Sequence, residues 1–182
     1  MNQKEVAFMS RLVGLLLAQG RERLSHGQEM SFVALDSLLF EIADDIRFQG
    51  QVDGIDVVCE ITGKQTVRGN AGQLRTMLMN VASNALFYTP PGEPVIMKLF
   101  RENDAIVISI RDFGPGVPEE RLQDIFRAFY RVDDSRTRSS GGAGLGLALA
   151  KEAVESCGGS IRACNTEPGL EIRMTFPAAT PG

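Results

Sequence analysis

Apolar positions along the chain follow two rhythms. Residues 2–25 carry Val6, Met9, Val13 and Leu16 at steps of three and four, flanked by Phe8, Leu12 and Leu15. A helical stripe that wide calls for a bundle partner. The pattern breaks around His26 and Gly27, which predicts a boundary at residues 25–29. Leu38, Leu39, Ile42 and Ile46 then share one helical face, with Asp36 as the expected N-cap and Gly50 just past the end. A further helix is predicted from about Ala71, burying Leu74, Met77, Leu78, Val81 and Ala85. It must end before Pro90-Pro91, because a residue preceding proline is pushed out of the helical region. The last helix begins near Leu145, runs through Ala148, Leu149, Ala153 and Val154, and stops at Gly158-Gly159.

Short, strand-like runs separate these stretches. Residues 30–35 and 57–61 read as strands, and the brief 66–68 is expected to pair elsewhere in the same sheet. Residues 95–101 and 105–111 predict a hairpin through Glu102-Asn103-Asp104, with Ile106, Ile108 and Ile110 on one face. Residues 118–129 read as one helical piece, 131–138 as a polar loop, and 160–164 and 171–176 as two closing strands. Strands clustered with packed helices predict a two-layer α/β sandwich, a mixed sheet with helices on one face, preceded by an N-terminal helix. The expected organisation is a helical segment over 1–27 and a catalytic-type domain over 28–182.

Composition narrows the class. With 182 residues, 43% hydrophobic and 23% charged, one main domain with an appendage is expected. A net charge of −4, with no run of Lys and Arg interleaved with aromatics, argues against nucleic-acid binding. Cys59, Cys157 and Cys164 form no C-x-x-C pair, which suits a reducing, cytoplasmic compartment better than a disulfide framework or zinc site. No apolar run reaches the roughly 18 residues of a membrane span, and the N-terminus lacks signal-peptide character. The chain itself therefore reads as soluble, whatever a longer parent contains.

Chemistry enters with Gly141-Gly-Ala-Gly-Leu-Gly-Leu147, a glycine run feeding a helix start. Such loops gather free N–H groups and the positive end of the helix dipole, a setting for phosphate, although a plain linker before a surface helix fits the segment equally well. A Walker loop is excluded, since the only Gly-Lys, at Gly63-Lys64, is followed by Gln65. Dinucleotide fingerprints starting at Gly142, Gly144 or Gly114 meet Leu147, Leu149 and Glu119 where a small residue is required.

Three more groups precede that loop. Asn80 and Asn84 stand four apart on the predicted 71–88 helix, and Tyr88 is one turn further on. Asp112-Phe-Gly-Pro-Gly116 follows a strand, and Ile125-Phe-Arg-Ala-Phe-Tyr-Arg131 precedes the polar loop. Taken singly, the asparagines could be surface positions, Asp112 a turn residue, Phe126 and Phe129 core, Tyr88 a packing residue, and Arg127, Arg131, Arg136 and Arg138 a solvated loop.

In order, however, Asn80-Val-Ala-Ser-Asn84-Ala-Leu-Phe-Tyr-Thr-Pro90 and these three segments resemble the N, G1, F and G2 boxes of the ATP-binding domain of two-component sensor histidine kinases, in the Bergerat-fold (GHKL) class shared with gyrase and MutL. The resemblance covers about residues 30–177. It implies ATP and Mg²⁺ as cofactors, with Asn80, Asn84, Phe87, Tyr88, Asp112, Gly114, Gly116, Val117, Tyr130, Arg131, Gly142, Gly144, Leu145, Gly146 and Leu147 around the nucleotide. Asn84 would hold the metal, and Asn80 and Arg131 would take catalytic roles. A carboxylate such as Asp112 accepts from the adenine amino group but faces an oxygen in guanine, which gives nucleotide choice.

The chain departs from the family in four places. Phe87 stands where the family carries Lys or Arg to reach the phosphates, and Ala143 replaces a Thr or Ser. Asn80 occupies the position at which hydrolytic relatives place a water-activating Glu, and an amide cannot act as a general base, so transfer to a protein side chain is favoured over hydrolysis. His26, the only histidine, is followed by Gly27-Gln28 and does not match the family's phosphoacceptor box. Residues 2–25 look instead like the second helix of the dimerisation hairpin. The resemblance thus implies a kinase module acting on a histidine upstream, in a homodimeric parent in the bacterial inner membrane with its catalytic part in the cytoplasm and a response regulator downstream. An anti-sigma-factor-type serine kinase and a degenerate nucleotide-binding module are the alternatives.

Overall fold

The computed structural model describes residues 30–130 and 144–178. The expected helix over 2–25, His26, Arg131, Gly142, Ala143 and the polar loop lie outside them.

The chain order is β1 (Ser31–Ala34), α1 (Leu35–Gly50), β2 (Val57–Ile61), β3 (Thr66–Gly69), α2 (Ala71–Tyr88), β4 (Val95–Glu102), β5 (Ala105–Arg111), α3 (Gly146–Ser156), β6 (Ser160–Asn165) and β7 (Leu170–Pro177). Five strands form a sheet in the order β2-β4-β5-β7-β6. It is mixed, because β2 runs parallel to β4 while the remaining pairs are antiparallel. α1 lies against β2 and β4, α2 against β4 and β5, and α3 against β6 and β7. Leu39, Ile42, Ile46, Leu74, Met77 and Leu78 from the helices meet Met97, Leu99, Ile108, Met174 and Phe176 from the sheet in one core. Each such side chain contributes about 1.5–3 kcal/mol by leaving water.

The central strand β5 is buried on both faces. Val107 and Ser109, pointing away from the helices, are 1% and 3% exposed. Their cross-strand neighbours Phe100 and Arg173 explain this, since the Arg173 guanidinium lies over the Phe100 ring and pairs with Glu102. A long amphipathic side chain thus covers the face against which no described helix packs.

Local chemistry sets the helix ends. The Asn70 side chain accepts from Gln73 N–H at 3.0 Å and caps α2, which ends at Tyr88 with Thr89 extended ahead of Pro90. After α3, Gly158 N–H reaches Glu155 O and Gly159 N–H reaches Val154 O, both at 3.0 Å, the Schellman pattern that the glycine pair predicts.

Four sequence expectations are corrected. β3 pairs with β1 in a separate two-stranded sheet, leaving the main sheet edge to β2. Residues 118–129 form two 3₁₀ turns, Glu119–Arg121 and Asp124–Phe126, rather than one helix. Asp36 is inside α1, whose N-cap is Ala34; its carboxylate instead accepts from Gln65 N–H at 3.3 Å, tying α1 to the β2–β3 connection. Gly50 is the last residue of α1 rather than the residue beyond it.

Candidate functional site

Asn80 and Asn84, both half-buried, project from α2. The Nδ2 of Asn80 is buried and has no hydrogen-bond partner among the described residues. An unpaired buried donor costs about 1–3 kcal/mol, so a partner brought by a ligand would recover that loss. Facing it is the start of α3, where a Cβ on Gly146 would lie 3.6 Å from the Asn80 Cβ and 3.9 Å from its Oδ1. No described side chain caps α3. Leu149 N–H already bonds Leu145 O at 2.9 Å, and the N–H groups of Gly146, Leu147 and Ala148 ahead of it are those a helix leaves without internal acceptors.

Asp112 terminates β5 and is 4% exposed. Gly114 N–H and Leu170 N–H both donate to its Oδ1, at 2.8 and 3.1 Å. No hydrogen bond from a described residue reaches Oδ2. Burial pushes this carboxyl above the usual aspartate range, opposed by the two backbone N–H groups and the Arg111 charge. Desolvation therefore outweighs the donors.

The end of α2 and the glycine turn are locked together by Thr89. Its hydroxyl donates to Ala85 O at 2.9 Å and accepts from Phe113 N–H at 3.4 Å. Gly114 packs so closely that a Cβ there would fall 2.7 Å from Tyr88 O. Tyr88 and Phe87 are about half exposed beside it, their rings in edge contact at 5.0 Å.

On the other flank, Val117 and Tyr130 pack partly against the core, and the Tyr130 hydroxyl accepts from Arg121 at 2.9 Å. Phe129 N–H donates to Gly144 O at 2.9 Å, joining the residues on either side of 131–143. Phe126 is partly buried against the core, but Phe129 is 61% exposed with φ of 65°, so its reading as core is corrected. Asn80, Asn84 and Tyr88 thus lie along α2, with Gly146 set beside Asn80 and Gly114 beside both Tyr88 and Asp112. Thr89 lies inside the quoted asparagine box without having been singled out, whereas nothing local in the sequence marks Asn165 or Leu170.

The matching family model is "Histidine kinase-, DNA gyrase B-, and HSP90-like ATPase", over residues 69–180. This chain is the ATP-binding domain of a histidine kinase. It is 32% identical over 168 residues to the sensor-like histidine kinase SenX3 of Mycolicibacterium smegmatis, covering 92% of this chain and 43% of that protein. Over 177 residues it is 30% identical to the sensor histidine kinase CpxA of Escherichia coli, covering 96% of this chain and 38% of the relative. The mycobacterial sensor histidine kinase MprB superposes with a TM-score of 0.73 at 26% identity, over 82% of this chain and 97% of that one. The histidine-kinase ATP-binding domain described here therefore spans about two fifths of the length of these curated relatives. No described helix is long and apolar enough to cross a membrane.

Proposed function

We propose that this domain binds ATP with Mg²⁺ and donates the γ-phosphoryl group to a histidine on a helix hairpin of its own parent kinase, for relay to a response regulator. The observation that carries the reading is that, among the described residues, the buried Asp112 carboxylate has no hydrogen bond to Oδ2, Asn80 Nδ2 has no partner, and Asn80 faces the start of α3, which no side chain caps. Asp112 Oδ2 accepts from the adenine amino group, in a pocket where Tyr88 and Val117 supply apolar surface to the base. Asn80 Nδ2 and the N–H groups of Gly146 and Leu147 donate to phosphate oxygens.

The donor set also fits Mg²⁺. Among the described residues no three His, Cys, Asp or Glu gather to hold a metal alone. A hard cation takes oxygen ligands, and Asn84 Oδ1, one turn from Asn80, would hold it. Bound there, the ion would supply charge neutralisation to the phosphates. The resemblance to the family assigns Arg131 a place beside them and residues 1–27 the second helix of the hairpin, both outside the described residues. With an amide at position 80, nothing on α2 deprotonates water. Transfer then proceeds by positioning: the imidazole nitrogen forms its bond to phosphorus as the bond to the β–γ bridging oxygen breaks, ADP leaves, and the ring proton passes to solvent. The parent sits in the bacterial inner membrane with this domain on the cytoplasmic side.

Calorimetric titration with ADP and a non-hydrolysable ATP analogue, with and without Mg²⁺, beside GTP, tests the pocket. Binding of adenine nucleotide alone, abolished by Asn84→Ala and by Asp112→Ala, supports the reading. Phosphorylation of an added hairpin carrying the acceptor histidine then establishes transfer; binding without it would reduce the domain to a nucleotide-holding module.

A further inference from the structure

The β6–β7 turn reaches the glycine turn at two separate points. At one, Leu170 bonds Asp112 through both its N–H and its carbonyl, at 3.1 and 2.9 Å. At the other, the exposed side chain of Asn165 bonds both polar atoms of one residue, Oδ1 accepting from Val117 N–H at 2.9 Å and Nδ2 donating to Val117 O at 2.6 Å. The same Nδ2 also donates to Glu119 Oε2 at 3.2 Å. A side-chain amide that pairs with both polar groups of one residue reproduces a β-ladder rung where β5 has already ended.

The backbone between these points is shaped to permit the contact. Gly116 has φ of 72°, and a Cβ there would fall 2.7 Å from Asn165 Oδ1. Gly169 has φ of 106° and lies so close to Asp112 that a Cβ would overlap the Asp112 carbonyl oxygen. Residues 112–117 are therefore held at both ends by a single hairpin turn.

We propose that Asn165 is a positioning residue for adenine, fixing the distance between the Asp112 carboxylate and Val117 and so the width of the base-binding slot. This rests on the reading that Asp112 receives the adenine amino group. Asn165 touches no nucleotide itself and acts through Val117. Its amide specifically is required, since Nδ2 must donate to Val117 O while Oδ1 accepts.

The test is ADP titration of the full chain in wild type, Asn165→Ala and Asn165→Asp at pH 8 and pH 5.5, each variant compared with wild type at the same pH. Asn165→Ala is expected to raise Kd about ten-fold at both pH values, the equivalent of one or two lost hydrogen bonds. Asn165→Asp keeps size and acceptor but sets a carboxylate against Val117 O and Glu119. It is expected to lose at least as much affinity at pH 8 and to recover toward wild type at pH 5.5, where a proton restores the donor. A general loosening of the fold would not produce that recovery. Thermal unfolding of both variants, with Asn165→Ser as the replacement if Asn165→Ala does not fold, separates misfolding from misplacement. Wild-type affinity in both folded variants, or a loss in Asn165→Asp that ignores pH, overturns the assignment of Asn165. Failure of wild type to bind ADP overturns the nucleotide reading and this inference with it.

Discussion

Leu170 clasps Asp112 across the sheet, its N–H donating to Oδ1 at 3.1 Å while its carbonyl accepts from Asp112 N–H at 2.9 Å. The first bond fixes one carboxylate oxygen and leaves the second without a hydrogen bond from any described residue. The second extends the β5–β7 ladder one residue beyond β5, so the sheet itself aims the side chain.

That arrangement predicts opposite effects of Asp112→Asn on stability and binding. The folded-state pKa of Asp112 lies above its unfolded value, so its contribution to stability is greatest below the unfolded pKa and is lost as pH rises through the folded one. At pH 7 the buried charge is a cost, and Asp112→Asn is expected to unfold at equal or higher temperature. With the amide oxygen taking the Oδ1 place, the amide nitrogen faces the adenine amino group, and ADP affinity should fall by about 1.5–3 kcal/mol. Calorimetric scanning and titration of one sample read both.

For the same reason wild-type affinity for adenine nucleotide should begin to fall, on acidification, at a higher pH than an ordinary aspartate would produce. A protonated Oδ2 presents a hydrogen to a donor. ADP titrations between pH 7 and 4.5 check this, with Asp112→Asn lacking the step.

Gly169→Ala, at a buried turn position, should be among the most damaging turn substitutions. Its Cβ would overlap the Asp112 carbonyl oxygen, at a φ of 106° that L side chains rarely adopt. A loss of about 3 kcal/mol is expected in urea unfolding, whereas Gly92→Ala, in open space with φ of 90°, should lose only about 1 kcal/mol.

Thr89→Val keeps the shape but removes the hydroxyl that joins Ala85 O to Phe113 N–H. Stability should fall by about 1 kcal/mol, and ADP binding should weaken as the glycine turn loses its tie to α2. Thr89→Ser, which restores the hydroxyl, should recover most of the affinity.

Phe87→Lys places a cation where the family carries one. Phe87 is 47% exposed and makes only an edge contact with Tyr88, so the substitution should cost about 0.5–1 kcal/mol of stability at most. ATP affinity should rise several-fold at low salt and lose that gain at high salt, as a screened charge contact does.

The helices and the β4–β5 hairpin were legible because their signals are local. Leu74, Met77, Leu78, Val81 and Ala85 mark a buried stripe by spacing alone, and Asn103 sits in the left-handed conformation that a tight turn favours. The pairing of β3 was not legible. A four-residue strand offers too little pattern to choose a partner, and β1 won because Leu35 N–H bonds Gln65 O and brings the two segments together. Residues 118–129 read as one helical piece, yet Phe126 and Tyr130 pack against the core and the run divides into two single turns.

By itself the sequence determined the order of elements and the mixed α/β class, because both rest on periodicity and on residues close together in the chain; the grouping of Asn80, Asn84, Asp112 and Gly144-Leu145-Gly146 came only from the resemblance to the family. Only the tertiary structure decided which atoms are free to act. Whether Asn80 Nδ2 has a partner, which oxygen of Asp112 is used, and that Asn165 grips a residue 48 positions away all depend on packing between distant segments, and burial and hydrogen-bond satisfaction have no local signature.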